Sequence, residues 1–533
     1  MHETGPFSIP AIRDYVPEKL RPWIMILIVL VFQLSGGVYL ASVSEMVGSL
    51  ALRQEDIMMA GYASMVGMGL TFAIMFRLKF QFTSKASLLI CAAVLIVCNL
   101  ICMHTTNVPL LVATCFVAGI FRMWGTFECN STIQLWLTPT RDLSVFFCYI
   151  YLLVYGCLEV TGLTTIYTAF FSTWEYMHWL VIGLLATAIL VVMILFRTMR
   201  SLPKLPLFGV DWMGALLWAV TLLSVIFVCL YGEHYDWYDS EYIQAASVLG
   251  ISSLLINLWR ASFIRHPFIA LQTWRYEIVY TTFILYMVVG LLLAPSHLLE
   301  HIYKEGVLGY DSLNTISLNW VSLLGTATGA LLTYQLFALR KWRYKTMTVI
   351  GFTAIIGYLM MSYFTIDFHQ TKSSMIVPIF LRSFGYVIIA IVFLTSLSRV
   401  PFHHFFHAVS VQSFVSAGFG SVLGTAILGH AFKVIMKSNS MLLGANLDNV
   451  NPLANRLAPG ELYGALQQQV LMVSMKELYG WLTLLGILCM MIFLVKVSNI
   501  RPKQAYHPTY RAIRRLFKRE IKEEQEEEEL EQA

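Results

Sequence analysis

One arginine, Arg122, stands in the otherwise apolar stretch VAGIFRMWGTFE, residues 117–128, which ends on Glu128. On insertion scales an arginine at the centre of a bilayer costs about 2.5–3.5 kcal/mol. Arg122 is therefore expected to face an internal cavity or a partner rather than lipid. The alternative is a purely structural role, in which the guanidinium bonds carbonyl groups or a neighbouring helix.

The composition of the whole chain indicates whether this helix lies in water or in a lipid bilayer. The chain has 533 residues, of which 58% are hydrophobic and 13% are charged, whereas soluble domains carry about 25% charged residues. This deficit predicts a polytopic membrane protein. The net charge of +5 is small, and we expect no nucleic-acid partner. The nine cysteines fall within apolar runs, so we expect small buried side chains rather than a disulfide framework.

Apolar segments of about 20 residues, long enough to cross a bilayer as helices, occur along the whole chain. Backbone groups in lipid must be satisfied within the segment, and a closed barrel would instead show alternating strands of about ten residues. The sequence therefore predicts an all-α integral membrane protein with fourteen transmembrane helices. The predicted spans are 23–43, 57–76, 86–103, 108–130, 145–168, 177–196, 213–231, 242–261, 278–298, 314–336, 346–365, 375–397, 409–434 and 480–497.

Basic residues alternate between the connecting segments. With the N-terminus inside, the outer segments hold seven of the 36 Lys and Arg, two lie within spans, and the inner segments hold the remaining 27. This alternation follows the positive-inside rule and predicts that both termini are cytoplasmic. It places the protein in a plasma membrane, which is the inner membrane if the source is a double-membraned bacterium.

The chain also repeats a pattern in two halves. A basic loop between the second and third helices, followed by an arginine in the fourth, occurs once with Arg122 and again with Arg382. Duplicated halves around a central site are typical of secondary transporters. The predicted domains are an N-terminal tail (1–22), a six-helix bundle (23–198), two extra helices (199–265), a second six-helix bundle (266–498) that includes a long outer loop (435–479), and a C-terminal tail (499–533).

Several motifs resemble those of fourteen-spanner drug/proton antiporters of the major facilitator superfamily, the EmrB/QacA type. The segment at 211–243 carries the Asp-x-x-Gly opening of the family's span 7, and its Trp-x-x-Ser turn at Trp237 and Ser240. STWEYMHW resembles the aromatic turn before span 6, and RHPFIALQTWRYEI resembles the link to span 9. The resemblance implies the major facilitator fold, arranged as 6+2+6 helices.

The resemblance also implies a role for Arg122, because the family carries an arginine followed by glycine in span 4 and associates it with proton coupling. Glu159, a lone carboxylate inside span 5, is a candidate for protonation or cation binding. A nearby cation favours the charged form of a carboxylate and burial favours the neutral form, so we expect Arg122 to tune Glu159. Glu128 and Arg382 are further proton-coupling candidates. Each of these residues has a structural alternative.

Aromatic residues on several spans are candidates for lining an apolar substrate cavity, although ordinary packing is the alternative for each. They are Trp124, Phe127, Tyr155, Trp320 and Phe414. Two histidine patterns, HLLEH at 297–301 and PFHHFFH at 401–407, have metal-like spacing. We identify no third ligand for HLLEH and interpret PFHHFFH as an interfacial aromatic turn, so no metal and no cofactor is expected. The chain also has no phosphate-binding Gly-Lys-Ser/Thr loop, so ATP does not appear as an energy source.

These observations predict a secondary transporter that is not an enzyme. The expected activity is export of amphipathic or lipophilic small molecules, driven by the proton gradient. Span 5 lacks the proline and paired glycines of the antiporter motif, so a facilitator or importer of a small solute stays open. A membrane-embedded metal-dependent enzyme is the remote alternative. Expected partners are the substrate, the lipid bilayer, and a periplasmic adaptor with an outer-membrane channel.

Overall fold

The computed structural model describes residues 11–138, 142–198, 207–415, 420–445, 447 and 458–496. Helices joined by turns and irregular segments make up these ranges, and the one pairing of extended residues within them is an isolated bridge between Ile12 and Phe196. The all-α class predicted from the sequence is confirmed.

Polar residues begin several of the helices. Thr83, Asn107, Asp142 and Asp211 each accept a hydrogen bond from a backbone N–H of the first turn, as N-caps do. The helices of the first half are α1 (Arg21–Leu34), α2 (Val43–Leu50), α3 (Gln54–Gln81), α4 (Ser84–His104), α5 (Val108–Leu137), α6 (Leu143–Phe171) and α7 (Glu175–Leu195). Two helices follow, α8 (Trp212–Tyr231) and α9 (Glu241–Phe263).

The second half contains more breaks than the first. Its helices are α10 (Glu277–Leu293), α11 (Leu299–His301), α12 (Ser312–Ile316), α13 (Asn319–Thr333), α14 (Tyr344–Thr365), α15 (Ile376–Leu397), α16 (Phe402–Phe414), α17 (Gly420–Gly444) and α18 (Pro459–Lys496). The π-helical turns Ile302–Val307 and Tyr334–Leu339 extend α11 and α13. Irregular turns of this kind inside a membrane helix frequently mark functional sites.

Twelve helical segments in the described ranges are long and apolar enough to cross a membrane, so the predicted count of fourteen is not reached. Predicted span 1 contains α1, whose 14 residues rise about 21 Å and fall short of a hydrocarbon core of about 30 Å. Gly37 follows it at φ +83°, a conformation that glycine adopts readily and that a helix cannot include. Predicted span 13 is divided between α16 and α17, and residues 416–419 lie outside the described part of the chain.

The two halves repeat the same helix pairings. In the first half α3 packs against α5, while α4 packs against α5 and α7. In the second half α13 packs against α15, while α14 packs against α15 and α18. Each half has its own apolar core, which includes Leu95 and Val181 in the first and Ile388 and Leu482 in the second. The internal repeat inferred from the basic loops and arginines thus corresponds to a repeat of packing.

The halves meet along two seams. At one seam α6 packs against α13 and α15, and at the other α3 packs against α16. The extra helices α8 and α9 pack together, and α8 also lies against α3 and α17. We call the end of the bundle that carries the basic loops after α3 and after α13 the basic end, and the other end the opposite end.

The segment predicted as a long outer loop, 435–479, is largely helical where it is described. Its first residues continue α17 to Gly444, and its last residues form the first part of α18. Asn439 of α17 donates hydrogen bonds to Ser474 Oγ (3.0 Å) and to Glu477 Oε2 (3.1 Å) of α18. At about 1.5 Å per residue, the 38 residues of α18 exceed the hydrocarbon thickness, so the pair projects beyond it as a helical hairpin.

Gly119 allows α5 to cross α3 at close range, and we expect Gly119→Ala to destabilise the protein by about 3 kcal/mol. A Cβ at this position would lie 1.9 Å from the backbone oxygen of Ser64, so the two helices would have to separate. Gly183 of α7 is the matched control, because a Cβ there would meet no atom within 4 Å. Thermal unfolding in detergent should show a lower Tm for Gly119→Ala and an unchanged or higher Tm for Gly183→Ala. Equal Tm values for the two variants would contradict this packing.

Candidate functional site

A buried cluster of charges lies in the second half, centred on Glu300. Arg382 Nη1 donates to Glu300 Oε1 at 2.7 Å, and Tyr358 donates to the same oxygen at 2.8 Å. Lys304 Nζ donates to the other oxygen, Oε2, at 3.0 Å. Glu300 is 5% exposed and Lys304 is 9% exposed, so these charges compensate one another with little contact with solvent.

A broken helix places Glu300 in this cluster. α10 ends at Leu293, and a 3-10 turn that contains Pro295 follows it. Proline has no N–H to continue the helical hydrogen bonds, so the chain re-enters helical geometry only at α11 and the π-helical turn. Irregular backbone at membrane depth is tolerated where it is buried in protein or lines a cavity. This broken helix is the counterpart of the first half's interrupted α1.

Glu159 of α6 joins the cluster across the seam between the halves. Ser322 of α13 donates to Glu159 Oε1 at 2.6 Å, and the hydroxyl oxygens of Ser322 and Ser383 are 2.6 Å apart. Ser383 follows Arg382 in α15, and Arg382 interacts electrostatically with both Glu159 and Glu300. Hydroxyl groups of two serines in the second half therefore contact a carboxylate of the first half, next to the ion cluster.

Close helix packing makes this cross-seam contact possible. A Cβ at Gly162, three residues after Glu159, would lie 2.9 Å from the side-chain nitrogen of Asn319. The absence of a side chain at this point lets α6 approach α13 closely enough for Ser322 to reach Glu159. The four charged groups, Glu159, Glu300, Lys304 and Arg382, are two carboxylates and two cations, so the cluster is neutral while both carboxylates are ionised.

Arg122 occupies the equivalent place in the first half, but its surroundings differ. Arg122 Nη2 donates to Gln33 Oε1 at 3.1 Å, and Gln33 in turn donates to Thr126. No carboxylate among the described residues forms an ion pair with Arg122, and its Nε is buried without a hydrogen-bond partner there. The predicted pairing of Arg122 with Glu159 is not seen, because Glu159 faces the second half and interacts with Arg382 instead.

Glu128 lies six residues further along α5, near the basic end. It accepts a hydrogen bond from Ser84 at 2.5 Å and forms an ion pair with Lys79 at 3.8 Å. Lys79 also donates to Ser131. These contacts join α3, α4 and α5 within the first half, so this carboxylate is separate from the cluster around Glu300.

The five aromatic candidates do not line one common cavity. Tyr155 lies on the seam, where its hydroxyl is 2.6 Å from that of Tyr386. Phe127 packs against Phe406 near the basic end. The remaining three lie elsewhere: Trp124 is in the core of the first half, Phe414 packs against Trp218 of α8, and Trp320 is 54% exposed. Phe414 of α16 also reaches α3, since a Cβ at Gly69 would be 3.0 Å from its ring, so Tyr155, Phe127 and Phe414 contact both halves.

An ion pair ties the halves together at the basic end. Lys341, in the loop after the π-helical turn of α13, donates to Asp142 and to Ser144 at the start of α6. Asp142 also caps α6. This contact and the contact between Ser322 and Glu159 cross the same seam at different depths, so both must break if α6 separates from α13.

The histidine patterns form no metal-binding cluster in the described ranges, since no group of three or more His, Cys, Asp and Glu side chains converges there. Within HLLEH, Glu300 bonds Arg382, Lys304 and Tyr358, and His301 pairs with Glu305 at 3.1 Å. In PFHHFFH, His404 lies 3.2 Å from the hydroxyl of Thr273. Glu300, the carboxylate of HLLEH, is thus a member of the ion cluster.

No protein-family model and no curated protein matches the sequence. Solved structures do match the fold. A bacterial homologue of the human drug peptide transporters PepT1 and PepT2 aligns with a TM-score of 0.58 and 12% identity, over 90% of this chain and 98% of that chain. The nucleoside transporter NupG aligns with a TM-score of 0.52 and 12% identity, over 90% and 100%.

The human organic anion transporter MFSD10 also aligns, with a TM-score of 0.51 and 8% identity, over 90% of this chain and 100% of that chain. At such low identities the likeness shows the fold alone. The chain is therefore a multi-pass membrane protein with the fold of these transporters, which confirms the predicted all-α membrane fold in this general form. The fourteen-spanner subtype is not distinguished by these matches.

Proposed function

We propose that the protein is a proton-coupled secondary transporter that exports amphipathic or lipophilic small molecules. The observation that carries the proposal is the hydrogen-bonded contact from Glu159 through Ser322 to Ser383, within electrostatic range of the pair of Arg382 and Glu300. Its two ends belong to different halves of a repeated fold, so any rocking of one half against the other changes the surroundings of Glu159.

The chemistry of Glu159 supplies the coupling in this proposal. A nearby cation favours the charged form of a carboxylate, and an apolar surrounding favours the neutral form. While the seam is closed, Glu159 interacts with Ser322 and Arg382. Opening the seam removes these partners, so the affinity of Glu159 for a proton differs between the two conformations. Alternating access then moves protons and substrate across the membrane in opposite directions.

Substrate flux in proteoliposomes, measured with and without an imposed pH gradient, tests this function. For an exporter driven by proton entry, a pH difference of one unit supplies about 1.4 kcal/mol per proton, enough for about tenfold accumulation at one proton per substrate. Flux that does not depend on the imposed pH gradient would favour a facilitator. An absence of flux, combined with tightly bound zinc, would favour the metal-dependent enzyme.

We also propose fourteen crossings, in which α1 and the residues after it form the first and α16 with α17 forms the thirteenth. This topology places both termini on the cytoplasmic side of a plasma membrane. Cysteines at Asn449 and Gln525, in a chain without native cysteines, should then differ in labelling: an impermeant thiol reagent on intact cells should modify the first and spare the second. Equal labelling of both positions would rule out this topology.

A periplasmic adaptor with an outer-membrane channel is the proposed partner if the source has two membranes. The projecting hairpin of α17 and α18 supports this proposal, because it extends beyond the hydrocarbon layer at the opposite end. Photocrosslinkers at Tyr463 and Gln467, which are exposed on α18, should capture the adaptor. Unchanged export and unchanged co-purifying proteins after replacement of the hairpin tip would exclude it.

A further inference from the structure

A groove of about 380 Å³ opens at the basic end, between α3 of the first half and α16 of the second. Its volume falls in the range of about 300–1,000 Å³ that is usual for small-molecule sites. The groove is distinct from the cluster around Glu300, which lies toward the opposite end. The residues that matter for recognition are Phe76, Arg77, Phe402, His403, Phe406 and His407.

Three phenylalanines give the groove an apolar, aromatic wall. The ring of Phe76 lies 5.5 Å from that of Phe402 and 5.7 Å from that of Phe406. Phe402 and Phe406 are 5.7 Å apart and nearly perpendicular. Ring edges and faces arranged in this way accept a flat apolar group, since offset and edge-to-face contacts are the favourable ones between aromatic rings.

The polar part of the groove is cationic. Arg77 lines it and forms no ion pair with a carboxylate of the described residues. The guanidinium lies close to Gly209, where a Cβ would be 2.3 Å from Nη1. None of the described residues that line the groove is acidic.

Two features of α16 add to the polar, anion-favouring character of the groove. The helix begins at Phe402, and its N-cap residue, Pro401, provides no side-chain hydrogen bond to the first turn. Since Phe402 and His403 of this first turn line the groove, the positive end of the helix dipole lies beside it, where it favours an anion. His407 also lines the groove, and its Nδ1 is buried.

We infer that this groove is a recognition site for small amphipathic organic anions, which bind with a flat apolar body on the phenylalanines and one sulfonate, carboxylate or phosphate group on Arg77. The inference rests on the proposed transport function and names its substrate class. Because α3 and α16 belong to different halves, a bound anion bridges the halves at the end from which an exporter takes up its substrate.

Binding of 2-naphthalenesulfonate to the full-length protein in phosphatidylcholine nanodiscs, measured by calorimetry, tests the inference. The neutral analogue 2-naphthalenemethanol serves as the reference probe. Arg77→Gln should weaken sulfonate binding by about tenfold or more, because a charge-assisted hydrogen bond is lost, and should leave binding of the alcohol unchanged. Phe406→Ala should weaken the binding of both probes. Arg77→Lys, which keeps the charge, should retain most of the sulfonate affinity.

Arg275→Gln is the matched control, since Arg275 is an exposed arginine near the same end that does not line the groove. It should leave both affinities unchanged. The inference is overturned if wild-type protein binds the two probes equally, or if Arg77→Gln and Arg275→Gln behave alike. It is also overturned if phosphatidylglycerol in the nanodisc competes through Arg77 while the free sulfonate does not bind, since the site would then belong to a lipid headgroup.

The binding experiment and the transport experiment can fail independently of each other. If the sulfonate test fails while the imposed pH gradient still drives flux of another substrate, the groove assignment is wrong and the transporter proposal stands. If the sulfonate binds through Arg77 but no compound moves across the membrane, the groove assignment stands and the transporter proposal fails.

Discussion

Replacing Arg382 with alanine is expected to lower the free energy of unfolding by about 3–5 kcal/mol. The guanidinium is a direct partner of Glu300, which is almost fully buried. Without it, the cluster holds two carboxylates and one cation, and Lys304 alone must compensate both. An uncompensated buried charge is far more destabilising than the net gain from the original pair, so the loss should be large.

Arg122→Ala is the matched control, because Arg122 is the repeat mate of Arg382 and its described partner is the neutral amide of Gln33. Its removal leaves no buried carboxylate unpaired, and we expect a loss of about 1 kcal/mol or less. Thermal unfolding of both variants in the same detergent gives the comparison. If Arg122→Ala destabilises the protein as much as Arg382→Ala, the two arginines contribute equally to stability. The difference between an arginine paired with a carboxylate and one paired with an amide would then be wrong.

Glu159→Gln is expected to abolish gradient-driven accumulation of substrate while leaving downhill exchange. Glutamine has nearly the shape of the protonated carboxyl and can still accept a hydrogen bond from Ser322, so the seam should close. It cannot gain or lose a proton, so one conformation no longer differs from the other in protonation. Accumulation under a one-unit pH gradient should fall from about tenfold to none.

Glu128→Gln provides the control for a second carboxylate within the membrane region. Its partners, Ser84 and Lys79, all lie within the first half, so its surroundings do not depend on the seam. We expect this variant to lose stability through the unpaired Lys79 and to keep coupling in the protein that folds. Loss of coupling in Glu128→Gln together with normal coupling in Glu159→Gln would indicate that Glu128 of α5, and not Glu159, carries the coupled proton.

The sequence predicted the class of fold well, because loop charge and apolar length are properties of single segments. It also located Arg382 through the repeat. It considered Glu300 only within the metal-like pattern HLLEH and missed its ion cluster, because the predicted span ended at 298, just before a carboxylate that a broken helix carries back into the bundle. Pro295 was a signal that could have indicated this break, and Glu300 then falls one turn from Lys304 on the continued helix.

Residue depth alone could not decide which arginine faces Glu159. By helix rise Arg122 and Glu159 lie at similar depths, roughly within 12 Å, but helix rise carries no information on the direction in which α6 presents its carboxylate. That direction is fixed by tertiary packing, here by the approach of α13 at Gly162. The same reasoning applies to Trp320, whose aromatic character fitted a cavity although its side chain is 54% exposed.

Substrate-induced proton movement in liposomes, normalised to folded protein, tests most directly whether Glu159 carries the coupled proton. Wild-type protein and Glu128→Gln should take up or release protons when substrate is added, and Glu159→Gln should not. Proton movement at the wild-type level in Glu159→Gln would contradict the account, because the contact from Glu159 to the second half would then serve the fold alone.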